Sequence, residues 1–259
     1  MDTLGAAIGP ALALVYLYFY PEDYKTLFII ALVPGILSVA TSALLKEKKI
    51  PVPVSKVKYS FFSFITYWKE SPKMYKKVVI GLLIFSLFNS SDVFLLLKIK
   101  EAGLSDTAVI SVYIFYNLVY ALFAFPVGIV ADKIGLRSVF IAGIIMFGMV
   151  YLGFSVTNNL YVFFGLFLIY GLYAAATEGI AKAWISNLCD KKDTATAIGT
   201  FSAFQSLCAM LASVITGVLW YKFSATVALL STAFIAGVVV IYFIFAVNDK
   251  SARIDRVKS

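Results

Sequence analysis

Residues Ala225–Val247 read ATVALLSTAFIAGVVVIYFIFAV, twenty-three positions without one charge. As a helix rising 1.5 Å per residue, such a run is about 35 Å long, enough to cross the roughly 30 Å hydrocarbon core of a bilayer. Seven further apolar blocks of similar length lie before it: Ala195–Trp220, Leu160–Lys182, Ser138–Val156, Thr107–Val130, Val78–Leu97, Tyr24–Leu45 and Met1–Phe19. The 259-residue chain is 61% hydrophobic and 14% charged, with a mean hydropathy of +0.92. Soluble domains carry roughly a quarter charged residues. A membrane barrel would alternate apolar and polar positions in segments of about ten, and no such alternation is found. The expected fold is an all-α membrane protein of about eight transmembrane helices.

The formal net charge of +8 orients this protein and does not point to nucleic acid. With the N-terminus set inside, eighteen of the twenty-two Lys and Arg fall in internal loops. The other four are Lys25, Lys98, Lys100 and Lys222. That asymmetry predicts a multi-pass protein of the cell membrane with both termini cytoplasmic, its basic residues meeting anionic lipid. Histidine is absent, which removes the commonest general base and most zinc sites. No nucleophile–base or metal constellation supports an enzyme, and nothing calls for a cofactor. Cys189 falls in a predicted internal loop and Cys208 within a span, so no disulfide is expected between them. The first block lacks a basic n-region and a small-residue cleavage site, and reads as a span, not a signal peptide.

The predicted external turns are short, which makes successive helices antiparallel neighbours. The Lys46–Lys77 connection differs. It is long and basic, contains Pro51, Pro53 and Pro72, and carries the aromatic run Tyr59–Trp68. A short helix lying in the membrane interface would explain that run. The division is therefore 1–45 with two helices, 46–77 as linker, 78–247 with six helices, and 248–259 as a tail.

Two helices, a basic linker and six helices resemble the major facilitator superfamily, whose two six-helix halves are joined by such a linker. Gly128-Ile-Val-Ala-Asp132-Lys133-Ile-Gly135-Leu-Arg137 is similar to the second-half copy of the family's motif A. There Gly135 permits a tight turn, Asp132 is placed to accept amides at a helix start, and Lys133 and Arg137 keep the loop inside. The resemblance implies a cytoplasmic latch between halves; the alternative is a turn that serves topology alone. Gly5-Ala-Ala-Ile-Gly9-Pro10 partly resembles motif C of exporters, with Leu12 and Ala13 where glycines should follow. Gly5 and Gly9 would make a flat face for helix contact, and Pro10 a kink; the alternative is the family's antiport role. Leu172–Leu188, LYAAATEGIAKAWISNL, also looks like a broad group of transporters in this superfamily. In that register the chain corresponds to helices 5–12 of a twelve-helix member, a complete C-terminal half plus two N-terminal helices. Met1 at the very edge of a span reads as an internal methionine, so the first four helices are expected to be missing.

A charge within a membrane helix costs about 2.5–3.5 kcal/mol on insertion scales and marks a pathway or a partner. Asp92 stands in the third span beside Asn89, Ser90 and Ser91. Helical spacing puts Asn89 and Asp92 near one face, as a site for substrate or proton; the alternative is a helix–helix hydrogen-bond cluster. Glu178 and Lys182, at i and i+4, have the order that favours an ion pair. They read either as a carboxylate gated by its lysine or as a neutralised pair with Lys182 snorkelling to the surface. Asn117, with Tyr113 and Tyr116, and Gln205 add single polar groups to helices that line the family's cavity. The expected activity is secondary transport of a small solute by alternating access, coupled to protons through Asp92 or Glu178. The competing expectation is a truncated, non-transporting membrane protein or scaffold lacking its N-terminal half.

Overall fold

The computed structural model describes residues 2–44 and 63–247. Among them run ten helices and no strand: α1 (Asp2–Phe19), α2 (Tyr24–Leu44), α3 (Ser63–Glu70), α4 (Lys73–Ser86), α5 (Val93–Glu101), α6 (Asp106–Ile134), α7 (Leu136–Val156), α8 (Leu160–Ser186), α9 (Thr194–Lys222) and α10 (Ala225–Phe245). Six of them, α2 and α6 to α10, are long and apolar enough to cross a membrane. The apolar part of α1, Ile8–Phe19, is shorter.

The third predicted span, Val78–Leu97, is not one helix. It breaks between Ser86 and Val93 into α4 and α5. Asn89, Ser90, Ser91 and Asp92 stand in a row there, and such side chains compete with the backbone for hydrogen bonds. No proline or glycine is needed. Asn89 and Asp92 accordingly do not share a helical face, because neither is in a helix.

The bundle is closed by small residues. A Cβ on Gly171 of α8 would lie 2.8 Å from both the Tyr116 carbonyl and the Val119 side chain of α6. A Cβ on Gly143 of α7 would lie 2.6 Å from Thr177 of α8. Such positions let helix backbones approach closely where lipid supplies no hydrophobic drive. Around them Phe140, Phe147, Tyr151, Phe154, Phe163 and Phe167 are fully buried. No buried residue precedes Ser71 among the described side chains. Helix α1 lies along α6, α2 touches α1 lightly, and α2 buries nothing. Between them Asp23 accepts from the Tyr16 hydroxyl at 2.9 Å and the Thr26 amide at 3.2 Å. Hydrogen bonds from Thr26 and then Tyr16 hold its carboxyl below the ordinary range.

Helix α4 is tied to both α9 and the end of α10. Lys77 Nζ donates to the Ala246 carbonyl at 3.4 Å, and Tyr75 Oη to the Ala197 carbonyl at 3.0 Å. Short α3 occupies the end of the predicted interfacial run and packs Tyr67 and Trp68 against Tyr75, with ring centroids 5.3 and 6.2 Å apart. Residues 45–62, including Pro51, Pro53 and the start of that run, and the tail 248–259 lie outside the described residues.

Candidate functional site

The motif A stretch forms the corner between α6 and α7. Gly135 sits at φ 99°, a left-handed backbone that glycine adopts without strain. Arg137 donates through Nε to the Phe243 carbonyl at 3.1 Å, and through a terminal nitrogen to Phe243 and Ile244 at 2.8 Å each. These are carbonyls left over at the end of α10, where a cation also meets the negative end of the helix dipole. Arg137 thus ties α7 to α10. Asp132 does not cap a helix start as expected. It stands exposed in the last turn of α6, with no hydrogen-bond partner among the described residues. The motif C stretch also differs from its expected role: Gly5 and Gly9 are exposed with open space around them, so they form no close contact, while Pro10 sits inside an unbroken α1.

Four of the polar residues singled out in the sequence converge. Asn89 from the break, Glu178 and Lys182 from α8, and Gln205 from α9 line a cavity of about 170 Å³. Its remaining wall is largely aromatic and includes Phe85, Phe140, Tyr173 and Phe201. Asn89 Nδ2 donates to the Tyr173 hydroxyl at 2.9 Å, which anchors the break to α8. The expected Glu178–Lys182 pair is not made. Tyr120 of α6 donates to Glu178 Oε2 at 2.8 Å instead, and Lys182 has no acceptor among the described residues. The two charges are thus presented separately to the same cavity.

Asp92 and Asn117 do not line that cavity. Asp92 is half-buried and accepts a hydrogen bond from the Tyr116 hydroxyl. Tyr116 is braced in turn by the rings of Tyr113, Phe167 and Tyr170, at 5.3, 5.8 and 5.3 Å. Buried Asn117 donates to the Tyr113 carbonyl on its own helix at 2.9 Å. Sequence reading missed Tyr120, Tyr151 and Tyr173. The first could have been found: Tyr113, Tyr116 and Tyr120 recur at helical spacing, and a stripe of hydroxyls on one face is not ordinary lipid contact. Among the described residues no group of three or more Asp, Glu, Cys or His could hold a metal.

Comparison with known proteins adds family information. The family model described as Major Facilitator Superfamily matches residues 78–259. An uncharacterised MFS-type transporter of Methanocaldococcus jannaschii is 35% identical over 225 residues, which is 85% of this chain and 55% of that protein. The chain therefore spans about half the length of the relative it matches.

Proposed function

The chain belongs to the major facilitator superfamily, and from that premise we propose that it forms part of a secondary transporter that moves a small solute by alternating access. One observation carries the reading: Asn89, Glu178, Lys182 and Gln205, on three different segments, meet in one aromatic-walled cavity with their charges unpaired. Packing alone gives no reason to hold a carboxylate and an ammonium apart there, whereas a solute passing through could engage both. Glu178 is the coupling group in this reading. A carboxylate with one hydrogen bond, open to a cavity, can load and release a proton as the helices rock.

Alternating access sets a site between two bundles. The wall facing α4, α8 and α9 is accordingly assigned to helices outside this chain, those of an N-terminal half. Orientation follows the loop charge asymmetry: Lys77, Arg137 and Lys191 face the cytoplasm, and Asn158 the outside. The Arg137 clasp on α10 supports a role for the motif as a latch that holds this end of the bundle together.

Uptake into proteoliposomes tests the reading, using this chain alone and joined to the N-terminal portion of the Methanocaldococcus jannaschii relative. A broad panel of labelled metabolites is offered with and without an inward proton gradient. Gradient-dependent accumulation by the joined protein, lost on Glu178→Gln, supports it. Accumulation of a solute that is unchanged in Glu178→Gln removes Glu178 from the coupling role.

A further inference from the structure

The two charged residues that line the cavity are Glu178 and Lys182, and their situations differ. Glu178 Oε2 already accepts from the Tyr120 hydroxyl of α6 at 2.8 Å. Lys182, one helical turn further along α8, has no acceptor among the described residues. An ammonium offers three N–H donors and no acceptor, so the unmet demand in this cavity is for an anion. Gln205 of α9 lines the same space, and its neutral amide can donate to a carboxylate oxygen without adding charge.

Charge balance narrows the class. Lys182 is the cation among the lining residues, and a single positive charge matches a monoanion. A phosphate near two negative charges would keep one unneutralised, which is costly away from water. An organic cation would meet the Lys182 ammonium, and an uncharged sugar would leave it unpaired. A zwitterion would need Glu178 ionised for its own ammonium. Titratable groups face Glu178 from α6 (Tyr120) and from α8 itself (Tyr173 and Lys182), whereas α4 and α9 present Ser86, Phe85, Phe201 and Gln205, none of which titrates. Once Glu178 takes a proton, the cavity keeps one positive charge and nothing in its lining repels a carboxylate. Its volume of about 170 Å³ falls below the roughly 300–1,000 Å³ of pockets for drug-sized ligands. The buried rings of Phe85, Phe140, Tyr173 and Phe201 make most of the wall. Phe85 meets Phe140 and Tyr173 edge-on, at 6.3 and 6.2 Å, and such a wall suits a short apolar body.

We infer that the solute of this cavity is a small organic monocarboxylate with an apolar or single-ring body, its carboxylate held by Lys182 and Gln205. The inference rests on the proposed function, in which Glu178 carries the proton, and adds the solute class to it. Neutral Glu178 admits the anion, so by linkage proton and anion each favour the binding of the other.

The test is equilibrium binding of labelled benzoate to the whole purified chain in lipid nanodiscs, with empty nanodiscs as the blank. Saturable binding is expected. Lys182→Gln should weaken it about 10- to 100-fold with an unchanged melting midpoint, and Lys182→Arg should keep most of it. Glu178→Gln removes the negative charge as a proton would, and should tighten binding about 3- to 10-fold; a merely structural Glu178 would give no gain. Benzylammonium, phenylalanine and inorganic phosphate should each displace benzoate less well than unlabelled benzoate does. The inference is overturned by absent saturable binding, by binding that survives Lys182→Gln, by weaker binding in Glu178→Gln, or by better displacement with any of those three. Benzoate binding without gradient-driven uptake of any solute by the joined protein would keep the anion site and sink the transport reading. Gradient-driven uptake of an uncharged or cationic solute without benzoate binding would do the reverse.

Discussion

The two polar places on either side of Asn89 are built in opposite ways. The cavity holds Glu178 and Lys182 exposed and unpaired, and its floor is reached from three segments. The break holds Asp92 partly buried, with its carboxylate accepting from the Tyr116 hydroxyl. The difference teaches which role each could serve. A mobile solute needs charges that can be approached and released, whereas a carboxylate already held by a neighbouring hydroxyl fixes the segment that carries it. Asn89 belongs to both, since it lies in the break and lines the cavity beside Tyr173.

Substitutions can break or sharpen that contrast. The largest effect is expected from Lys182→Gln in a transport-competent joined protein. If its ammonium binds the solute directly, uptake at low solute should fall about 10- to 100-fold, with an unchanged melting midpoint. A matching fall in stability would make Lys182 structural. Next comes Gly171→Ala on the wall between α6 and α8. The added methyl meets the Tyr116 backbone, which cannot yield as a flexible side chain would. Overpacking of this sort costs about 1–3 kcal/mol, and calorimetry or denaturant titration should read it. Gly9→Ala, in open space on α1, should stabilise its helix slightly or leave stability unchanged. Equal losses at Gly171 and Gly9 would mean that α1 packs as closely as the bundle. A smaller change is expected from Tyr120→Phe, which frees Glu178 of its hydrogen bond. Gradient-driven uptake should change by a few-fold, read in the same proteoliposome assay.

Much of the fold was legible in the sequence because bilayer spans are long, apolar and nearly charge-free. The Ala225–Val247 block became α10 with only its end trimmed. Four polar residues in a row mark the break at Asn89–Asp92, yet helical spacing puts Asn89 and Asp92 near one face only if the helix is continuous. Periodicity shows which residues could share a face, not whether the helix persists. Glu178 and Lys182 were read as a pair because i, i+4 spacing allows it. The competing donor, Tyr120, lies fifty-eight positions away and comes near only through α6–α8 packing. Asp132 and Arg137 illustrate the same limit within one motif. The turn geometry at Gly135 was local and readable, while the acceptors of Arg137 at Phe243 and Ile244 were not.

The claim that most depends on this geometry is that the Asn89–Glu178–Lys182–Gln205 cavity is the water-accessible one and the Asn117 side of α6 is not. Single-cysteine variants test it after Cys189 and Cys208 are replaced by alanine. Gln205→Cys and Asn117→Cys are each exposed, in inverted and right-side-out vesicles, to a charged membrane-impermeant thiosulfonate. Gln205→Cys should react from at least one side, and Asn117→Cys, buried at 4% exposure, from neither. An inert Gln205→Cys together with a reactive Asn117→Cys would contradict the assignment of the solute path.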